Sequence, residues 1–367
     1  MVVAGIMTGT SVDAIDIATC EMNQKGDRHA ISLLSFSSLP FPDDLRQAIL
    51  ASINGTASME ELSDLPFELA RAYASSLEAH YQLSVHRPEL LAIHGQTIWH
   101  HPPLSTWQAG SGPALSALTK LPVVSDFRSA DVALGGQGAP LVPVYDHTVY
   151  CSDAIDRVAL NIGGMANMTI LPAGGSLNSL VAFDCGPGNV WIDHATRFTY
   201  GKSYDANGNI ARAGRVLQPM LNEMMSFEFF GRNPPKSTGR EVFTTAEIER
   251  LITKYSHPSS PLEDVVTTVT EVTAWSIADH VHRFAPSTKE ILVAGGGSQN
   301  SFLIERIAAR CADLGVSAGV SVDPLWAEKE AMAFAYLGWL SVQGIPGNVP
   351  SVTGASRRAV LGTIARA

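Results

Sequence analysis

Long apolar runs are missing from this chain of 367 residues: the longest apolar helix candidate, Ala331 to Val342, has 12 residues, short of the roughly 20 that a bilayer-spanning helix needs. The N-terminus lacks the basic and long apolar segments of a secretion signal, because its run Val2 to Ile6 is stopped by Thr8. Cysteine is scarce and scattered. Cys20, Cys151, Cys185 and Cys311 form no CxxC pair, which argues against a zinc knuckle or a dithiol redox motif and suits a reducing compartment. Positive charge is also short: 25 Lys and Arg face 35 Asp and Glu, a net charge of −10. Nucleic acid and anionic lipid are therefore not expected to be gathered by bulk electrostatics. The common nucleotide and hydrolase signatures fail as well. Gly201-Lys202-Ser203 would end a Walker loop, but Thr196 stands where its first Gly belongs. Gly136 and Gly138 are followed by Leu141, and Gly295 and Gly297 by Asn300, where GxGxxG needs a third Gly; no GxSxG occurs. What remains is the composition of a packed cytoplasmic globule, 46% hydrophobic and 16% charged, long enough for two domains.

Strands and helices alternate along the chain, which predicts the α/β class. Strands are expected at Val2 to Met7, Ala14 to Met22, Ile31 to Phe41, Leu90 to Ile93 and Val123 to Ser125. Helices are expected from Pro42-Asp43-Asp44 and over Met59 to Tyr81, where Leu62, Leu65, Leu69, Tyr73 and Leu77 keep near-helical spacing. LGGQGAPLVP, Leu134 to Pro143, has the composition of a hinge or crossover. After it the opening pattern returns, with Arg157 to Ile162, the small-residue turn Gly163 to Asn167, a strand Met168 to Pro172 and another at Leu180 to Phe183. Helices are then expected at Val190 to Tyr200, Ile210 to Met225, Thr245 to Tyr255 and Leu262 to His282. Ile291 to Ala294 is a strand, followed by helices over Phe302 to Leu314 and Trp326 to Val342, and the tail is expected to dock on the first half. The repeat is weak by identity and clear by pattern, and it predicts lobes of 1–130 plus 346–367 and of 131–345.

Three glycine-rich turns suggest a nucleotide. MTGTSVDAID, Met7 to Asp16, interrupts a strand with small and hydroxyl residues, so backbone N–H groups around Gly9, Thr10 and Ser11 can cradle a phosphate. Asp13 or Asp16 would sit near Mg²⁺, through water, since that ion keeps much of its hydration shell. NIGGMAN echoes this turn with Gly163, Gly164 and Asn167, and the two would grip opposite ends of a polyphosphate. Gly295, Gly296 and Gly297 with Asn300 follow a strand and open a helix, a place where a ligand can approach backbone closely and where an adenosine is expected. Asp184 is the candidate for chemistry: it follows an apolar strand and precedes GPGN, and a partly desolvated carboxylate there can serve as general base. Gln96 and Thr97 offer polar substrate contacts or structural hydrogen bonds. Arg128 offers a cation for a sugar or phosphate oxygen, or a surface ion pair. Lys236 to Glu241 reads as a polar loop of low specificity, and Glu330 lies on the last long helix.

Taken together, GIMTGTSVDAID, HGQTIWH, DFRSADVALGGQGAPLVP, LNIGGMAN, FDCGPGN, PKSTGRE, VAGGGSQN and GNVPSVTGA resemble the anhydro-N-acetylmuramic acid kinase family, in order and over nearly the whole chain. That family lies in the sugar kinase, Hsp70 and actin superfamily, so the resemblance implies two ribonuclease H-like domains closing over ATP in a central cleft. It implies that MTGTS and NIGGMAN bind phosphates, that GGGSQN contacts adenosine, that Asp184 is the catalytic aspartate, and that Thr97, Arg128 and Glu330 hold the sugar. A homodimer is the family expectation. Three places depart from the family pattern: Cys185 stands for the usual Thr, Ala14 for a Gly, and TWQAGSG for a TLQIG followed by an acid. The last touches the sugar side, which leaves open another anhydrosugar such as levoglucosan. A non-catalytic actin-like nucleotide switch is the alternative of a different class.

Overall fold

A computed structural model describes residues 1–9, 12–26, 28–256 and 261–366 of the chain. It divides into two compact units, Met1–Val149 with Glu328–Ala367, and Tyr150–Ala327. The boundaries expected at 130/131 and 345/346 therefore move. The helix Lys329–Val342 belongs to the first unit because it is packed into the first sheet: a Cβ on Gly5 would lie 2.6 Å from the Ala335 amide nitrogen. Such an approach lets a short, almost wholly buried apolar helix serve as core. Among the described residues no helix is long and apolar enough to cross a membrane.

In the first unit β1 (Val2–Thr8), β2 (Ala14–Lys25) and β3 (Arg28–Pro40) form an antiparallel meander, and β4 (Leu90–Ile93) pairs parallel to β1. A separate ribbon, β5 (Gln96–His101) with β6 (Ser105–Ala109), precedes β7 (Val123–Ser125), which lies parallel to β4. The C-terminal strand Thr363–Ala365 closes the edge against β7, so the tail docks where the sequence places it. In sheet order the meander and its two parallel followers run β3-β2-β1-β4-β7. LGGQGAPLVP is a loop inside this unit, pinned by the buried Asp131, whose Oδ2 accepts the Gly138 N–H at 2.8 Å. Asp131 Oδ1 accepts from Asn348 Nδ2 at 2.8 Å and from Thr353 Oγ1 at 2.7 Å, which ties GNVPSVT to the same carboxylate.

The second unit repeats the order. Strands β8 (Arg157–Ile162), β9 (Met165–Leu171) and β10 (Val181–Pro187) form the meander, and β11 (Glu290–Ala294) and β12 (Gly319–Val322) add parallel strands to give β10-β9-β8-β11-β12. Two units with the same third-second-first-fourth-fifth order are ribonuclease H-like domains, the arrangement of the sugar kinase, Hsp70 and actin fold. The helix Leu262–Phe284 is the buried spine of this unit, and its buried threonine hydroxyls donate to carbonyls of their own helix and, from Thr267 and Thr273, to Ala211 O and Pro187 O. One expected helix, Ile210 to Met225, is two: Asn209–Ala213 and Gln218–Met225. Between them the Arg215 and Leu217 N–H groups turn to Asp264 Oδ1 and Thr268 Oγ1, and Gly214 lies against the Glu263 backbone.

Candidate active site

Asp184 lies within β10, opposite Asn167, where the register slips between Asp184 and Gly186. That bulge re-aims the strand at the point where a carboxylate stands. Gly186 has φ +148°, and a Cβ there would lie 2.6 Å from the Phe230 ring, so the position is closed to larger residues. Burial pushes the Asp184 carboxyl up to about 6; the Thr238 N–H, donating to Oδ2 at 2.8 Å, opposes this, the Glu241 charge adds to it, and Lys236 opposes it. Most of the group is out of water, so desolvation is the dominant effect. The result is a carboxylate that exchanges a proton near neutrality. Cys185 beside it is fully buried, and burial raises its thiol well above the ordinary value. It is filler and not a nucleophile.

The turn between β8 and β9 holds Gly163 and Gly164. Their carbonyls accept the N–H groups of Gly188, Asn189 and Val190, at 2.9, 2.8 and 3.1 Å, so GPGN and the start of the helix Asn189–Tyr200 lock onto the turn. A Cβ on Gly164 would meet nothing within 4 Å, which leaves this turn open to a ligand. Asn167 pairs with both Asn161 and Asp184 across the sheet. In GGGSQN the three glycines differ. Cβ atoms on Gly295 and Gly297 would strike Asn161 Oδ1 at 2.6 Å and Ile162 Cβ at 2.7 Å, so these two serve packing against the end of β8. Gly296 alone is open, with its nearest neighbour at 4.0 Å. Asn300 caps the helix Ser301–Asp313, its Oδ1 accepting the Leu303 N–H at 3.0 Å.

The first unit carries the remaining candidates. Thr10 and Ser11 lie outside the described residues. Around them, Val12 takes a left-handed φ of +56°, its N–H donates to Gly9 O at 3.2 Å, and its carbonyl accepts from Arg46 Nε at 3.0 Å. Gln96 is buried and donates to Gly9 O at 3.3 Å, which links it to the hairpin turn as well as to β5. Asp13 is exposed. Asp16 is half-buried in β2, and burial raises its carboxyl, against a Ser38 hydrogen bond and with the charge of Glu328.

Arg128 is not the surface ion pair that its loop suggested. Its guanidinium donates to His94 Nε2 at 2.8 and 3.2 Å and to Gly138 O at 2.7 Å. Burial lowers it to about 10, while the charges of Glu330 and Asp131 support it. His94 accepts as a neutral imidazole, because burial first and Arg128 second hold it well below its ordinary value. Glu330 is half-buried; burial raises its carboxyl, Lys329 opposes, Asp16 adds and Arg128 opposes. Thr97 accepts from Gln108 Nε2 at 3.4 Å, and the same amide donates to Thr106 Oγ1 at 2.9 Å. The first unit therefore gathers Arg128, Glu330 and Asp16 as an electrostatically coupled group, with Gln96 on the turn side.

The pattern of one protein family, described as anhydro-N-acetylmuramic acid kinase, matches residues 1–367. The chain belongs to this family. It is accordingly an enzyme, an ATP-using kinase of carbohydrate metabolism. Solved structures with a similar backbone include an activator of the 2-hydroxyisocaproyl-CoA dehydratase from Clostridium difficile with bound ADPNP, at 11% identity over 94% of this chain and 96% of that one, TM-score 0.49. A ROK family glucokinase from Streptomyces griseus in complex with glucose and AMPPNP is 12% identical over 92% and 99%, TM-score 0.43. The family match and the strand order carry the assignment. For a kinase of this family, the departures are now placed: Cys185 fills core, Ala14 opens β2 opposite Pro40, and Gln108 of TWQAGSG braces Thr97.

What sequence reasoning missed is the support. Lys236 to Thr238, read as an unspecific polar loop, holds Asp184 directly, and Asp131 was not singled out at all. The only signal for the first was the motif PKSTGRE itself.

Proposed function

We propose that this kinase opens the 1,6-anhydro ring of 1,6-anhydro-N-acetylmuramic acid with water and phosphorylates O6 in the same event, giving N-acetylmuramic acid 6-phosphate and ADP. The observation that carries this reading is Asp184, a carboxyl pushed up to about 6 with one oxygen fixed by a backbone N–H. In a 1,6-anhydro sugar O6 is tied in an acetal, so no free hydroxyl awaits deprotonation. Asp184 Oδ1 instead takes a proton from water, whose oxygen attacks C1 on the face opposite the departing O6, as in inverting glycoside hydrolysis. The C1–O6 bond breaks as O6 bonds to the γ-phosphorus, and the bond from that phosphorus to the bridging oxygen breaks to release ADP. The γ-phosphoryl group thus does for O6 what a protonated carboxylic acid does in a glycosidase.

Thr97, Arg128 and Glu330, with Gln96, are assigned to the sugar. Gly9, Thr10, Ser11 and Asp13 are assigned to phosphate, as are Gly163, Gly164 and Asn167, while the turn Gly295, Gly296, Gly297 and Asn300 is assigned to adenosine, with Gly296 as its open backbone and the other three shaping it. The open backbone at Gly164 and Gly296 fits this use. Mg²⁺ is assigned to arrive with the nucleotide and to keep most of its water. Exposed Asp13 is the residue assigned beside it, and the ion would neutralise phosphate charge. The reaction needs neither nucleic acid nor membrane, and a cytoplasmic homodimer is its expected setting.

The test is ADP release with Mg²⁺-ATP and the anhydrosugar, with the sugar product weighed by mass spectrometry. A product heavier by one phosphoryl group and one water is expected. Turnover of levoglucosan in its place would overturn the substrate, and ATP binding without turnover of either would overturn the reaction in favour of a nucleotide switch.

A further inference from the structure

The segment Lys236–Thr238 belongs to no strand or helix, yet it grips Asp184 twice. Lys236 O accepts the Asp184 N–H at 3.1 Å, and the Thr238 N–H donates to Asp184 Oδ2 at 2.8 Å. Backbone and side chain of the aspartate are therefore held by residues two apart. The segment's own anchor is the Lys236 ammonium. It donates to Phe229 O at 3.0 Å and to His280 Nε2 at 2.6 Å, and it lies 4.4 Å from the centre of the Phe229 ring. His280 is fully buried on the helix Leu262–Phe284, and its Nδ1–H donates to Ser276 O at 2.5 Å, which leaves Nε2 as the acceptor. Burial sets both groups for this pairing, lowering Lys236 to about 8 and His280 to about 4. At neutral pH the proton stays on the lysine and the imidazole receives the hydrogen bond.

A lysine with such partners is poorly placed to bind substrate, since its ammonium is bonded to Phe229 O and His280 Nε2 and lies over the Phe229 ring. We propose that Lys236 is a positioning residue: anchored on His280, it sets the Lys236–Thr238 strap that aims the Asp184 carboxylate. This rests on the reading of Asp184 as the base. A displacement of about 1 Å in a reacting group can cost ~10²-fold in rate, which is the scale on which a slack strap would be felt. Other charges face the assembly: Glu241 toward Asp184, Arg283, Asp279 and Arg232 toward Lys236, and Asp279 and Arg283 toward His280.

The test compares Lys236→Met, which keeps the stem and removes the donor, with His280→Leu, which removes the acceptor, and with Lys236→Arg. Each of the first two is expected to lower kcat by about 10- to 100-fold with the KM for ATP little changed, and Lys236→Arg to recover part of the loss. The acid limb of the pH–rate profile should move to higher pH in both. The Lys236 charge and the Thr238 N–H each hold the Asp184 carboxyl down, so loosening either raises it. A merely structural role would lower the yield of folded enzyme and leave the limb in place. Wild-type kcat and an unmoved limb in folded Lys236→Met overturn the proposal, and where that variant fails to fold, His280→Leu decides by the same two readouts. Asp184→Asn separates the two readings: turnover by that variant sinks the base and the strap together, whereas an inactive Asp184→Asn beside unaffected strap variants sinks the strap alone.

Discussion

In the folded chain the Asp184 carboxyl titrates near 6, against an ordinary value of 3.8. Each pKa unit is worth about 1.4 kcal/mol, so above pH 6 the native state carries a penalty of about 3 kcal/mol for holding this group ionised. Between pH 3.8 and 6 the unfolded chain has released the proton and the native chain has kept it. Stability attributable to this group therefore falls as pH rises through that window, and the penalty is absent below it. Asparagine has the same shape, keeps an oxygen for the Thr238 N–H and has no charge to desolvate. It forfeits some of the strength of a charge-assisted bond, which leaves a net gain of about 1–3 kcal/mol at pH 7.5. For a unit of this size that is a rise in melting temperature of about 2–12 °C. Asp184→Asn should thus be inactive, bind ATP and melt higher than the parent at pH 7.5, with the advantage shrinking toward zero as pH falls to about 4. Melting curves of both proteins across pH 4 to 8 measure this. An Asp184→Asn protein that melts at or below the parent at pH 7.5, or by a margin independent of pH, would refute desolvation as the source of the shifted carboxyl.

Two further outcomes follow from buried groups. His80 is fully buried, with Nδ1 at 2.7 Å from Ser37 Oγ and Nε2 at 3.0 Å from both Thr19 and Ser35 hydroxyls, and burial lowers its pKa. The unfolded chain takes up a proton there as pH drops below the ordinary 6.5 while the native chain resists. The stability margin of the parent over His80→Gln should therefore narrow between pH 7.5 and 5.5, read from urea midpoints, and a margin constant with pH would count against it. Of the four thiols only Cys151 is partly exposed, while Cys20, Cys185 and Cys311 are buried with raised pKa. Iodoacetamide on the native protein should label Cys151 first and spare turnover; early labelling of Cys185 would mean that the strand around Asp184 opens.

Most strands of both units were legible because each is a run of apolar or alternating residues ended by glycine, proline or hydroxyls, and the repeated turn revealed the repeated pattern; the edge strands Gly319–Val322 and Thr363–Ala365, short and largely exposed, were not. Nor was the ribbon β5–β6. Trp99 opposite Trp107 on a half-exposed pair of strands joined through Pro102-Pro103 gives no core-facing alternation to read. The break at Gly214 was hidden for another reason: the groups that draw the chain out of helix, Asp264 and Thr268, lie about fifty residues away. Distance in sequence also hid the link from Asp131 to Asn348 and Thr353, which is why a glycine-rich loop that reads as a hinge is instead held at Gly138 by a carboxylate that is itself fixed by the tail.

The glycines show the limit of reading a site from composition. GGGSQN is written like a cradle, yet Gly295 and Gly297 are small because Asn161 and Ile162 press on them, and only Gly296 is free for a ligand. Gly163 and Gly164 are written like a free cradle, yet their carbonyls are taken by the N–H groups of Gly188, Asn189 and Val190, so the turn assigned to phosphate and the segment after Asp184 are one mechanical piece. A change at Gly188, whose Cβ would lie 3.0 Å from the Met165 carbonyl carbon, would disturb both. That coupling places the turn assigned to phosphate and the bulge that presents Asp184 on neighbouring strands of one sheet, with the Lys236–Thr238 strap fixing the side chain from outside it. The residues assigned to the chemistry are named by their type and motif; the ones that hold them are found only where the chain returns to meet itself.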